Sequence, residues 1–150
     1  MQNVIKRMQI DLYSPTCYEV IKAQQGDNNS RVVEFEVFAE GEPYILTDVI
    51  AKMEGHRGDG SSFIKDCEIL NNVISVTLDT DVLFDSGYIV AKVVLYDKNS
   101  NSDSELLNTI STIPFKIYVQ KNPCDKNDVG LNNAMCKLVK LYSFFNNIIR

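Results

Sequence analysis

His56 is the only histidine in the chain. It sits in Gly55-His56-Arg57-Gly58-Asp59-Gly60-Ser61-Ser62, a loop by composition. An imidazole can serve as a base or a metal ligand near neutral pH, but only with company. A metal site takes three or four ligands, and a hydrolytic triad sets a nucleophile and an orienting acid beside the base. No cysteine or second histidine lies near His56 in sequence, so Cys17 or Cys67 would have to reach it through the fold. The cysteines at 17, 67, 124 and 136 lack the two-residue spacing of zinc or thioredoxin-type sites. Free thiols of a reducing cytosol are the expectation, with a Cys124–Cys136 bridge left open.

Arg57-Gly58-Asp59 spells a cell-adhesion tripeptide, a match short enough to arise by chance. Gly58-Asp59-Gly60 reads equally as a β-turn between two strands, and that reading is adopted. Asp79, Asp81 and Asp85 cluster without the spacing, glycine or terminal glutamate of an EF-hand, and read as caps in a polar connection. Gly26-Asp27-Asn28-Asn29 is not followed by the Lys-Ser/Thr of a phosphate-cradling loop. These residues therefore assign no catalytic residue, metal site or cofactor, and a non-enzyme is expected.

The elements that would position these residues are mostly strands. Met8, Ile10 and Leu12 alternate with polar neighbours, as a half-buried strand does. Lys22 to Arg31 is a ten-residue polar island that reads as a loop feeding a strand. In that strand Val33, Phe35 and Val37 share one face, and Glu34 and Glu36 the other. Ala39 to Pro43 reads as a turn, and Pro43 belongs at a strand edge or start. Val49, Ala51 and Met53 alternate next. Phe63–Leu70 and Val73–Asp79 flank Asn71-Asn72, a two-residue hairpin turn, with Ile74, Val76 and Leu78 inward. Thr80 to Ser86 is a short irregular or one-turn connection. Tyr88–Tyr96 turns Ile89, Ala91, Val93 and Leu95 inward; after a polar loop at 97–105, Thr112–Gln120 turns Ile113, Phe115, Ile117 and Val119 inward. Short strands at regular spacing predict a mainly β chain, an antiparallel β-sandwich of immunoglobulin-like type. The Cys–Trp–Cys core of true immunoglobulin domains is absent.

The pattern changes after Pro123. Leu131, Met135, Leu138, Tyr142, Phe145 and Ile149 step by alternating fours and threes, a heptad seam. Val139, Leu141, Phe144 and Ile148 widen it. A C-terminal α-helix over 127–149 is predicted, packing on its own domain or self-associating. The division expected is a β-sandwich at 1–122 and a linker with an apolar helix at 123–150.

The chain has 150 residues, a formal net charge of -5 and a pI near 4.8. One domain with an appendage is the expectation. No basic stripe favours nucleic acid. No apolar run is long enough to span a membrane, and the N-terminus lacks an apolar signal core.

From about Met8 to Val119 the sequence resembles the N-terminal domain of the phage baseplate upper protein family. Four stretches carry the resemblance. The island, with Gln25, Gly26, Asp27, Asn28 and Arg31, is similar to the family's Lys-Gln-Gly-Asp-Asn-like run ending in Ser-Arg. Gly41-Glu42-Pro43-Tyr44-Ile45-Leu46-Thr47 is like its Gly-x-Pro-x-x-Leu-Thr. Asp59-Gly60 falls where the family reads Lys-Pro-Asp-Gly, with Arg57-Gly58 departing from the Lys-Pro. Ser111-Thr112-Ile113-Pro114-Phe115 is like its Ser-Thr-x-x-Phe.

The resemblance implies a structural protein of the virion tail baseplate, in phages or prophages of Gram-positive bacteria, made in the bacterial cytoplasm. It implies docking on the tail hub beside the distal tail protein and help in positioning receptor-binding proteins. It also implies self-association, often as trimers, accompanying the helical segment. Loops 22–31 and 97–105 are the expected docking elements. The tripeptide becomes a variant of a family turn. The alternative is a carbohydrate-binding or adhesin-like sandwich, for which Tyr13, Tyr18, Tyr44 and Tyr118 are available aromatics.

Overall fold

A computed structural model gives the fold and describes residues 1–13, 19–98 and 108–124. The chain divides into two units, Met1–Gln120 and Lys121–Arg150. The elements are β1 (Val4–Asp11), β2 (Ile21–Gln24), β3 (Arg31–Ala39), β4 (Glu42–Pro43), β5 (Val49–His56) and β6 (Ser62–Asp66). There follow β7 (Glu68–Leu70), β8 (Val73–Leu78), α1 (Thr80–Leu83), β9 (Gly87–Asp97), β10 (Thr109–Ser111) and β11 (Phe115–Gln120). One sheet runs β1-β3-β8-β7, with β4 on β3. The other runs β2-β11-β9-β5-β6, with β10 on β9.

The alternating apolar residues make the core, as their period requires. Val33, Phe35, Val37, Ile74, Val76 and Leu78 are buried on the first sheet. Ala51, Met53, Ile89, Ala91, Val93, Leu95, Phe115, Ile117 and Val119 are buried on the second. Both sets belong to one cluster. The rings of Phe35 and Phe115, one from each sheet, lie 5.0 Å apart. Each buried side chain of this size contributes about 1.5–3 kcal/mol.

Asn71 and Asn72 have φ of 52° and 61°. Two successive positive φ angles match the right-handed twist of paired strands, so they join β7 to β8 as the sequence predicts. Pro43 lies on β4, at the margin of its sheet.

Several expectations are corrected. Pairing is not wholly antiparallel: β1 runs parallel to β3, and β2 parallel to β11. A strand's alternation says which face is buried, not which way its neighbour runs. The chain between β1 and β3 visits the other sheet as β2, so no hairpin constrains their direction. Phe63–Leu70 is not one strand. It leaves the second sheet as β6 and joins the first as β7 at Cys67. The inward phase of Phe63, Lys65, Cys67 and Ile69 continues across the break, so periodicity cannot reveal it. The island is not all loop, because Ile21 and Ala23 are buried and draw Lys22 and Gln24 into β2. His56 ends β5 and is not a loop residue. Thr112–Gln120 becomes β11 from Phe115, with β10 before it. The predicted helix at 127–149 lies outside the described residues.

Candidate functional site

The family-like stretches converge on a small number of fasteners. The first surrounds α1. Asp79 caps this single turn, its carboxylate accepting from Val82 N at 3.2 Å, and Val82 and Leu83 are buried beneath it. Lys65 Nζ binds the other Asp79 oxygen. Burial pushes the Asp79 carboxyl up, but the Lys65 ammonium and the Val82 N–H outweigh it and hold the group below its ordinary value.

The island grips α1 from one side. Gly26 N donates to Leu83 O at 2.9 Å, and Gln25 Nε2 to Phe84 O at 2.9 Å. Thr80 N donates to Asn28 Oδ1 at 3.1 Å, and Asn29 N to Leu78 O at 3.0 Å. Asp27 receives Arg31 Nε at 2.5 Å and Gln24 N at 3.3 Å, which closes the loop on itself. Gln25 N also donates to Gln120 O at 2.9 Å. The predicted residues Gln25, Gly26, Asp27, Asn28 and Arg31 are therefore brought together, and their polar groups are engaged within the domain.

The turn at 57–60 grips α1 from another side. Gly60 N donates to Arg57 O at 2.9 Å, which makes Arg57-Gly58-Asp59-Gly60 the β-turn read from composition. Arg57 is 6% exposed. Its Nε donates to Asp81 O at 2.9 Å, and its Nη1 donates to Ser61 Oγ at 3.0 Å and Ser62 O at 3.1 Å. Its guanidinium lies 4.6 Å from the Phe84 ring centroid and 5.2 Å from that of Phe63. A Cβ on Gly58 would stand 2.7 Å from Ser86 O, so the turn and the segment after α1 approach too closely for a side chain. An arginine enclosed in this way presents no adhesion tripeptide.

The other two stretches are fasteners as well. Asn72 Oδ1 accepts from Leu46 N at 2.7 Å, and its Nδ2 donates to Tyr44 O at 3.0 Å, which ties 41–47 to the hairpin tip. Thr112 is buried. Its N donates to Val93 O at 2.9 Å, and its Oγ1 accepts from Val93 N at 3.0 Å. One residue thus takes both polar groups of Val93 between β10 and β11. Sequence reasoning missed the roles of Arg57, Asn72 and Thr112. Their partners are distant in sequence, and no local spacing marks them.

Cys67 and His56 are kept apart. Cys67 is a free thiol whose pKa burial pushes up to about 12. Cys67 N donates to Ala51 O at 3.1 Å. His56 lies at the far end of β5, about 16 Å away at a rise of about 3.3 Å per residue. Among the described residues no three of His, Cys, Asp and Glu converge to hold a metal. Cys124 is disulfide-bonded, so the expectation of free thiols fails there. Cys17 lies outside the described residues, as do Leu131, Met135, Leu138, Tyr142, Phe145 and Ile149 and loop 97–105 beyond Lys98. No described helix is long and apolar enough to cross a membrane.

No curated protein matches the chain. Among solved structures it is similar to the N-terminal domain of phage TP901-1 ORF48. The TM-score is 0.67 at 12% identity, covering 79% of this chain and 99% of that one. At that identity the likeness speaks for the fold. The family model of the BppU N-terminal domain matches residues 5–143, a span that takes in all four fastening stretches. The match spans most of the chain, and the chain belongs to the BppU N-terminal domain family of phage baseplate proteins.

Proposed function

We propose that this chain is a non-enzymatic structural component of a phage or prophage tail baseplate. It docks through its β domain on the tail hub, next to the distal tail protein, and helps to position receptor-binding proteins. The observation that carries this reading is the family match across residues 5–143. The fold likeness to a domain of a phage TP901-1 protein supports it. The inert Cys67, remote from His56, also suits a protein that works by its surfaces.

Self-association uses the heptad seam Leu131, Met135, Leu138, Tyr142, Phe145 and Ile149, which the sequence supports. Leu138→Asp is expected to shift sedimentation from oligomer to monomer, and an unchanged oligomer would remove the seam from the reading. The docking role is tested with tails assembled without this chain. Added back as purified protein, it should co-sediment with them and restore baseplates seen by electron microscopy. Tails that are complete and infective without it would end the reading.

A further inference from the structure

The two outer sheet faces differ in how their charges are used. On the first sheet Arg7 pairs with both Glu34 and Glu36, at 3.3 and 3.7 Å. That face carries its cation paired and keeps an excess of carboxylates, with Glu68 opposite Ser75. On the second sheet Tyr118 stands opposite Tyr88 on β11 and β9, and opposite Lys22 on β2. Lys116 stands opposite Val90, and Lys92 two residues further along β9 faces outward as well. Tyr88 is 55% exposed and Tyr118 37%. Their ring centroids are 5.0 Å apart, and Lys116 Nζ lies 5.6 Å from that of Tyr88.

Lys22, Lys92 and Lys116 are in none of the ion pairs among the described residues. Lys6, Lys52 and Lys65 each hold a carboxylate, as do Arg7, Arg31 and Arg57. Glu54 stands opposite Lys92, but its carboxylate takes the Tyr96 hydroxyl at 2.8 Å. A chain of net charge -5 thus gathers cations outside any ion pair around an exposed pair of tyrosine rings, tilted at 51° to each other.

We propose that this outer face, centred on Tyr88 and Tyr118, docks a protein surface that presents carboxylates around an apolar spot. An aromatic centre with a charged rim is how protein interfaces are built, and tyrosine is prominent among the residues that carry their energy. The lysines complement carboxylates and steer their approach. A sugar ring would need a free aromatic face. Here Lys116 stands against the Tyr88 ring and Tyr118 packs against it, so stacking on a glycan is disfavoured. The inference deepens the docking role above, and rests on it only in taking the partner to be a tail protein. It also moves docking from the island, whose polar groups are engaged internally, to the sheet beside it.

The probe is a synthetic peptide of alternating glutamate and tyrosine, titrated into the purified chain. Wild type should bind it, with affinity falling as salt rises. Tyr88→Ser with Tyr118→Ser, and Lys22→Glu with Lys92→Glu and Lys116→Glu, should each lose at least about tenfold. Gln9→Glu with Thr77→Glu, on the other sheet, should bind as wild type does. Circular dichroism checks that each variant folds. Absence of binding at low salt, equal binding by the face variants, or face-dependent binding to a neutral oligosaccharide or polyphosphate in preference to the peptide would overturn the proposal. The tail add-back separates the two readings. Face variants that restore tails fully would sink the face alone. A wild-type chain that binds the peptide through this face yet never restores tails would sink the baseplate docking role alone.

Discussion

Replacing Arg57 by alanine removes a side chain that links the end of β5, the start of β6 and α1. Asp81 O and Ser62 O lose a charged donor, at 2.9 and 3.1 Å. Such a bond is worth about 1.5–3 kcal/mol. The stacking on Phe84 and Phe63 adds about 0.5–2 kcal/mol. The ion pair to Asp81 at 3.4 Å adds little, because that carboxylate is largely exposed and screened. Water entering the vacated space recovers part of the loss. The expected net cost is about 3–4 kcal/mol. For a domain of this size that is a drop in Tm of roughly 6–16 °C. Lysine keeps the charge but not the fork, so Arg57→Lys should fall between, at about 1–2 kcal/mol. Urea unfolding followed by far-UV circular dichroism measures all three proteins, with an unchanged slope confirming that stability alone has moved. A loss below about 1 kcal/mol for the alanine variant would refute the reasoning. Equal stability of the lysine and wild-type chains would mean that charge, not the planar geometry, holds the turn.

Three further outcomes follow from the fasteners. Asn72→Ala forfeits bonds to Leu46 N and Tyr44 O and places alanine at φ 61°, so urea unfolding should show a loss of about 2–3 kcal/mol. Asp79 has a depressed folded pKa, so its contribution is present above the unfolded value and is lost as pH falls through the lower folded one. Acid unfolding should therefore be shallower in Asp79→Asn than in wild type below about pH 4, and identical limbs would show that the Lys65 contact contributes nothing. Cys67, with its pKa near 12, should resist iodoacetamide in the folded chain at pH 8 and react once urea unfolds it, as read by peptide mass spectrometry.

What was legible in the sequence is what period and turn chemistry report. Ile74, Val76 and Leu78, or Ile89, Ala91, Val93 and Leu95, declare an inner face by alternation alone, and each is buried. Asn71-Asn72 declares its turn because two adjacent positive φ angles are costly for most other residues. That His56 has no potential partner close by in sequence was also legible. The ordered family stretches were legible too, but not their work. Gln25 and Asn28 read as loop polarity, and nothing local shows that their amides reach Phe84 O and Thr80 N.

The sequence by itself determined which residues of the long strands face inward, where the 71–72 hairpin turns, and the family to which the chain belongs, because these depend on neighbours within a few positions. At 112–113 it chose Ile113, but Thr112 is the buried residue. Only the tertiary structure decided direction, sheet assignment and surface. The parallel pairs β1–β3 and β2–β11, and the transfer between sheets at Cys67, leave the alternation unchanged and so leave no trace in it. Arg57 read as one residue of a β-turn, and only the fold shows Phe63 and Phe84 enclosing it. Tyr88 and Tyr118 were outward residues of separate strands until strand pairing set them side by side among unpaired lysines. Contact between residues far apart in the chain is a property of the fold, and the face that results is where this protein's partner is to be sought.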